Sequence, residues 1–134
     1  MPSFSQSSPE FLSIEEAGRL LRKREISPVE LVDAALARIE RGNSRLNAFL
    51  TIIADDARRQ ARAAERAIRR GNASGPLHGI PISLKDNFWT RGIRSTAGSK
   101  ILANFVPDED SDVASRLARA GAILLGKKDR KSVV

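Results

Sequence analysis

The chain contains no cysteine and no tyrosine among its 134 residues, and only one histidine and one tryptophan. Without cysteine there is no disulfide, no thiolate nucleophile and no cysteine-bound zinc. A single histidine, His78, excludes a polyhistidine metal site. Neither a metal nor a cofactor is expected. No apolar run approaches the ~20 residues of a membrane-spanning helix. The N-terminus, MPSFSQSSPEF, lacks the basic start and apolar centre of a secretory leader. A cytoplasmic protein with no membrane partner is the expectation. With five phenylalanines and Trp89 as its only aromatics, the chain has few platforms on which bases could stack.

Hydrophobic residues make up 41%, enough for a core, and the length is that of one domain. The formal charge is +7, from 23 basic and 16 acidic residues, which raises nucleic acid as a partner. Most of the arginines fall on expected helices, where solvated faces account for them more simply. Arg58, Arg62 and Arg66 form one such stripe, with Glu65 in reach of Arg62 and Arg69.

Residues 1–10 read as a flexible tail. Ser13-Ile-Glu-Glu16 is a capping box, and the helix it opens runs to about Lys23 with Ile14, Ala17 and Leu21 inward. Ser27-Pro-Val-Glu30 repeats the device, and Pro28 suits a first helical position. Val29, Val32, Leu36 and Ile39 then share one face, and Gly42 is a natural stop. A strand is expected near 46–52. A third helix follows from Ala54 to Arg70, with Ile53, Ala57, Ala61, Ala64 and Ile68 inward and Gly71 as terminator. Residues 71–76 form a turn-rich connector. Ile80–Leu84 and Ala122–Leu125 read as buried strands. Between them Ser111 caps a helix to Ala120 that turns Val113, Leu117 and Ala120 inward. Strand, crossover and strand imply a parallel pair in an α/β sheet. Residues 85–110 form a long connection, with a short helix expected near 99–104; such connections are often functional.

Lys85 stands where that connection leaves the first buried strand, and open α/β sheets gather binding groups at the carboxyl ends of strands. Spacing alone leaves two readings, a surface lysine paired with Asp86 or a site residue.

The surrounding residues decide between them. Gly75-Pro-Leu-His-Gly-Ile-Pro-Ile-Ser-Leu-Lys-Asp-Asn87 resembles the segment around the catalytic lysine of the amidase-signature family. Gly92–Ser99, Phe105-Val-Pro107, Asp110–Val113 and Arg119–Lys127 continue the resemblance. Ser27–Leu31 and Arg45–Phe49 are similar to the family's N-terminal helical region. Residues 11–127 are covered. The resemblance implies an α/β fold: N-terminal helices plus the first strands of the family's mixed sheet, left incomplete.

It implies cleavage of carboxamide bonds by a serine nucleophile, a second serine in a cis peptide, and a lysine, with Lys85 as that lysine. The substrate would be a small amide, or glutamine with partner subunits and tRNA if the chain is the A-type component of a tRNA-dependent amidotransferase. A lysine acting as base near neutrality needs a pKa of ~7–8 against an ordinary ~10.4. Partial burial of Lys85 is therefore expected, with the Asp86 carboxylate turned elsewhere. His78 matches no catalytic position and reads as a loop residue. Ser83, Ser95 and Ser99 lie outside the glycine- and serine-rich segment that carries the family's two serines, and read as packing and backbone-bonding residues.

That serine-rich segment is absent, so the 134 residues alone are expected to be inactive. Residues 128–134 depart from the family's usual continuation and are expected to be a non-family tail, either a library artefact or the mark of a genuine gene fragment or frameshift. Asp129-Arg-Lys-Ser-Val-Val134 is the translation of GATCGGAAGAGCGTCGTG, a sequencing-adapter string. Two alternatives without catalysis remain at this point: a basic helical RNA-binding module, and a structural fragment.

Overall fold

A computed structural model describes residues 9, 12–46, 48–73, 75–97 and 99–128. In chain order these form α1 (Ile14–Arg22), α2 (Pro28–Leu46), β1 (Phe49–Ile52), α3 (Ala54–Arg69), β2 (Pro81–Lys85), α4 (Asp112–Arg119) and β3 (Ile123–Lys128). Of the tail expected at 128–134, Lys128 closes β3, while residues 129–134, like residues 1–8, lie outside the described residues.

The helix starts follow the local chemistry. Ser13 accepts from the backbone N–H of Glu16, Ser27 from that of Glu30 and Ser111 from that of Ala114. Each bond satisfies one of the donors that a helix N-terminus leaves without an intrahelical partner. The stops are less regular. Gly71 ends α3 with φ of +75°, as its sequence position implies. Gly42 does not end α2, which continues to Leu46. A Cβ added at Gly42 would meet nothing closer than Leu46 Cδ1 at 3.9 Å, so no packing constraint forces a turn there.

The sheet has the order β1–β3–β2, with β1–β3 antiparallel and β2–β3 parallel. The parallel pair is the one expected from sequence. β3 runs three residues beyond the expected Leu125, and the register slips between Ile82 and Ser83, which face Leu124 and Gly126. Gly126 permits the close approach of β1: a Cβ there would lie 2.2 Å from the Thr51 carbonyl oxygen.

One core cluster joins α2, α3 and β3 through Val32, Leu36, Ala57, Ala61, Ala64, Ile123 and Leu125. The alanines of α3 bring two helical backbones close together. A second cluster joins Ala17, Leu20 and Leu21 of α1 to Ile26, Leu31 and Ile80. Two inward assignments fail. Ile14 is 60% exposed, because α1 turns Ala17, Leu20 and Leu21 to the core and leaves its first residue outside. Val113 is exposed while Ala114 is buried and Leu117 and Ala120 stay half-buried, so the inner face of α4 is rotated part-way from Val113 towards Ala114. Residues 101–104 form turns and not the expected short helix.

Candidate active site at the carboxyl end of β2

Lys85 is the last residue of β2 and pairs in register with Lys128. Asp86 then turns the chain out of the sheet. Its N–H donates to the Lys128 carbonyl at 2.9 Å, and the Phe88 N–H closes the turn onto the Lys85 carbonyl at 3.1 Å. Lys85 itself is exposed, and among the described residues its ammonium has neither an ion pair nor a hydrogen bond. The partial burial expected for it is not observed. β2 is an edge of the sheet, and burial along it stops at Leu84.

Asp86 takes the opposite environment. It is 1% exposed, and its Oδ2 accepts from the backbone N–H of Thr96 at 3.0 Å and from the Thr96 hydroxyl. The Asp86 carbonyl accepts from the Ala97 N–H. The carboxylate therefore does not neutralise Lys85, as expected. Its Oδ1 is buried without a hydrogen-bond partner among the described residues.

The main feature that sequence reading missed is Lys127. It has no exposed surface, and its ammonium donates to the Phe88 carbonyl at 2.6 Å, Ser95 Oγ at 2.8 Å and Thr90 Oγ1 at 2.9 Å. Burial lowers its pKa below the ordinary lysine value, and the nearby negative charge of Asp86 opposes that shift. One signal was available: Lys127 follows a run of strand-forming apolar residues, Ile123–Leu125, that reads as a buried strand.

His78 is half-buried, and its Nε2 lies 3.0 Å from the Ala64 carbonyl, which ties the 75–79 turn to α3. Ser95 is buried in hydrogen bonds to Lys127 and the Ile93 carbonyl, and Ser99 accepts from the Ile101 N–H. These are the packing and backbone-bonding roles read from the sequence.

A model of the amidase family matches residues 30–131. The chain belongs to the amidase family. The A-type component of glutamyl-tRNA(Gln) amidotransferase from Geobacter sulfurreducens is 50% identical over 116 residues, which are 87% of this chain and 24% of that protein. Among solved structures, peptide amidase from Stenotrophomonas maltophilia is 36% identical with a TM-score of 0.80, covering 88% of this chain and 24% of its own. A bacterial aryl acylamidase of the amidase-signature family is 30% identical with a TM-score of 0.83, covering 91% and 26%. The four helices and three-stranded mixed sheet are thus part of an amidase-signature fold. The chain spans about a quarter of the length of the relatives it matches.

Proposed function

We propose that this chain is the lysine-bearing portion of an amide-cleaving enzyme of the Ser–cis-Ser–Lys type, with Lys85 as the catalytic lysine. The observation that carries the reading is the separation of Lys85 from Asp86. The strand end presents the amine outward, while the adjacent carboxylate is buried on Thr96. An amine held in this way is available to a serine hydroxyl supplied from elsewhere in a longer polypeptide. In the proposed mechanism neutral Lys85 takes a proton through the cis serine as the nucleophilic serine attacks the amide carbonyl. The amine returns the proton when the C–N bond breaks. Desolvation of Lys85 then falls to residues outside this chain. Its local contribution is to fix the backbone on both sides, through the Lys128 pairing and the Phe88–Lys85 turn.

Within this reading, the A-type component of an amidotransferase is favoured over a stand-alone amidase. Eight such amidotransferase components are 44–52% identical, whereas the amidases of known structure given above are 30–36% identical. The substrate would then be glutamine, with partner subunits and tRNA receiving the ammonia. The RNA-binding alternative loses support because the chain has few aromatics on which bases could stack. Within the basic stripe Arg58 pairs with Asp33, and beside it Arg59 pairs with Asp56 and Arg69 with Glu65.

Glutamine hydrolysis by the complete polypeptide, with and without its partner subunits, tests the reading. Lys85→Ala should reduce kcat by orders of magnitude with the fold intact, because it removes a group used in the transition state. Lys85→Arg should be nearly as damaging, since arginine stays protonated. An arginine variant with the parent rate would refute the proton-transfer role. Residues 1–134 alone should hydrolyse neither glutamine nor small aryl amides.

A further inference from the structure

We infer that Lys127 is a positioning residue: its buried ammonium clamps the 88–95 segment against the end of β3 and so fixes the turn that carries Lys85. In the register of the sheet Lys127 lies opposite Leu84, the residue before Lys85. Its three N–H groups meet three oxygens, and all three belong to the segment that follows Lys85. Phe88 O is the closest of them, and the N–H of that same residue closes the turn onto Lys85. Without the clamp, residues 88–95 have few ties to β3. Asp86 anchors the far end of the segment at Thr96 and Ala97.

The contact between Lys127 Nζ and Ser95 Oγ has the look of a serine–lysine dyad, but its burial argues otherwise. Lys127 has no exposed surface and Ser95 is 1% exposed, so no substrate carbonyl reaches either atom. Ser95 also directs its hydroxyl towards the Ile93 carbonyl. The pair holds a loop in place and does not activate a nucleophile.

A buried charge is a poor route to stability, because an apolar side chain of similar volume often serves as well. What a buried ammonium with three directed donors supplies is a single loop conformation. That distinction gives the test. The consequence for catalysis rests on the reading of Lys85 as the catalytic lysine. The clamp does not, and it is measured in this chain alone, so either can fail without the other.

The experiment is amide hydrogen exchange on the 134-residue chain at low micromolar concentration. In Lys127→Met the amides of Phe88, Thr96 and Ala97 should exchange about tenfold faster or more, while those of α2 and α3 keep their protection. Global unfolding by denaturant should shift little or towards greater stability. The chain has no cysteine, so Lys127→Cys offers one thiol for aminoethylation. Alkylation rebuilds a lysine-like ammonium at that position and should restore the protection of all three amides. A residue that merely filled space would not require the charge back. If Lys127→Met does not fold, Ser95→Ala and Thr90→Val decide, since each removes one acceptor and should loosen the same amides. Parent-like exchange at Phe88 and Thr96 in whichever of these variants folds would overturn the proposal, as would protection in the Met variant equal to that in the aminoethylated one.

Discussion

Moving the Lys127 amine from water to a site with no exposed surface disfavours its charged form, and three hydrogen bonds together with the Asp86 charge return only part of that cost. The folded protein therefore gives up this proton at lower pH than the unfolded chain does. Between the lowered value and the ordinary 10.5, the unfolded state binds more protons, so the free energy of unfolding rises with pH. Above that window the increment is complete, and below it the cost is fully present. Denaturant midpoints measured from neutral pH up through the ordinary lysine value should show this rise in the parent and lack it in Lys127→Met. Equal pH slopes in the two proteins would contradict the assignment. Asp86→Asn should cost about 1–3 kcal/mol, since it removes a charged acceptor from the two Thr96 donors. The same change withdraws the negative charge that opposes the shift of Lys127, whose pKa should fall further, as read by side-chain NMR. The place of Lys85 at the end of β2 was legible in the sequence, because the apolar run Ile80–Leu84 stops just before it. Lys127 was not, because nothing local says that residues 88, 90 and 95 return to it.

At the scale of elements, the caps were readable since they depend on three or four consecutive residues. Ser111→Ala should cost about 1 kcal/mol, seen as a lower denaturation midpoint, because it leaves the Ala114 N–H of α4 without its acceptor. The rotation of α4 was not readable. Over eight residues with apolar positions at 113, 114, 117 and 118, two faces are nearly equivalent, and only contact with the sheet chooses between them. The end of α2 escapes sequence reading for a related reason. Glycine is a permissive stop, and α2 runs through Gly42 to a last turn that Asn43 ties to β1, its Oδ1 accepting from the Phe49 N–H. The parallel pair was recoverable, but its register slip was not, since nothing in the apolar run marks Leu125 as the residue passed over between the partners of Ile82 and Ser83. Gly126→Ala places a methyl group against the Thr51 carbonyl and should cost about 3 kcal/mol or more, with β1 detached from β3. Loss of amide protection at Ile53, whose N–H bonds the Leu125 carbonyl, would report that detachment directly.

For the whole molecule, the sheet has two open edges among the described residues: there β1 and β2 each pair on one side only, with β3 between them. Over one face of the sheet lies a groove of about 470 Å³ bordered by Leu12, Ile14, Leu31, Ile39, Phe49 and Ile82, with Arg38 and Lys128 also lining it. Unpaired strand edges next to apolar surface are templates for association. Composition could not reveal this, because 41% hydrophobic residues is an ordinary fraction and says nothing about which of them are covered. The resemblance did point to it, since it implied only the first strands of a larger mixed sheet, and the chain spans roughly a quarter of the relatives' length. The chain should therefore associate as its concentration rises, with sedimentation coefficients that increase over the micromolar range. Ile14→Lys should shift that association to higher concentration. It puts a charge at the rim of the groove and, at 60% exposure, removes little from the core. Thermal unfolding of the parent should be broad and only partly reversible, since the unfolded chain re-enters competition between folding and edge pairing. A monodisperse monomer that melts in one sharp, reversible transition at every concentration would show that three strands and four helices suffice by themselves. The open edges would then carry no liability, and the two core clusters alone would account for the stability of the fold.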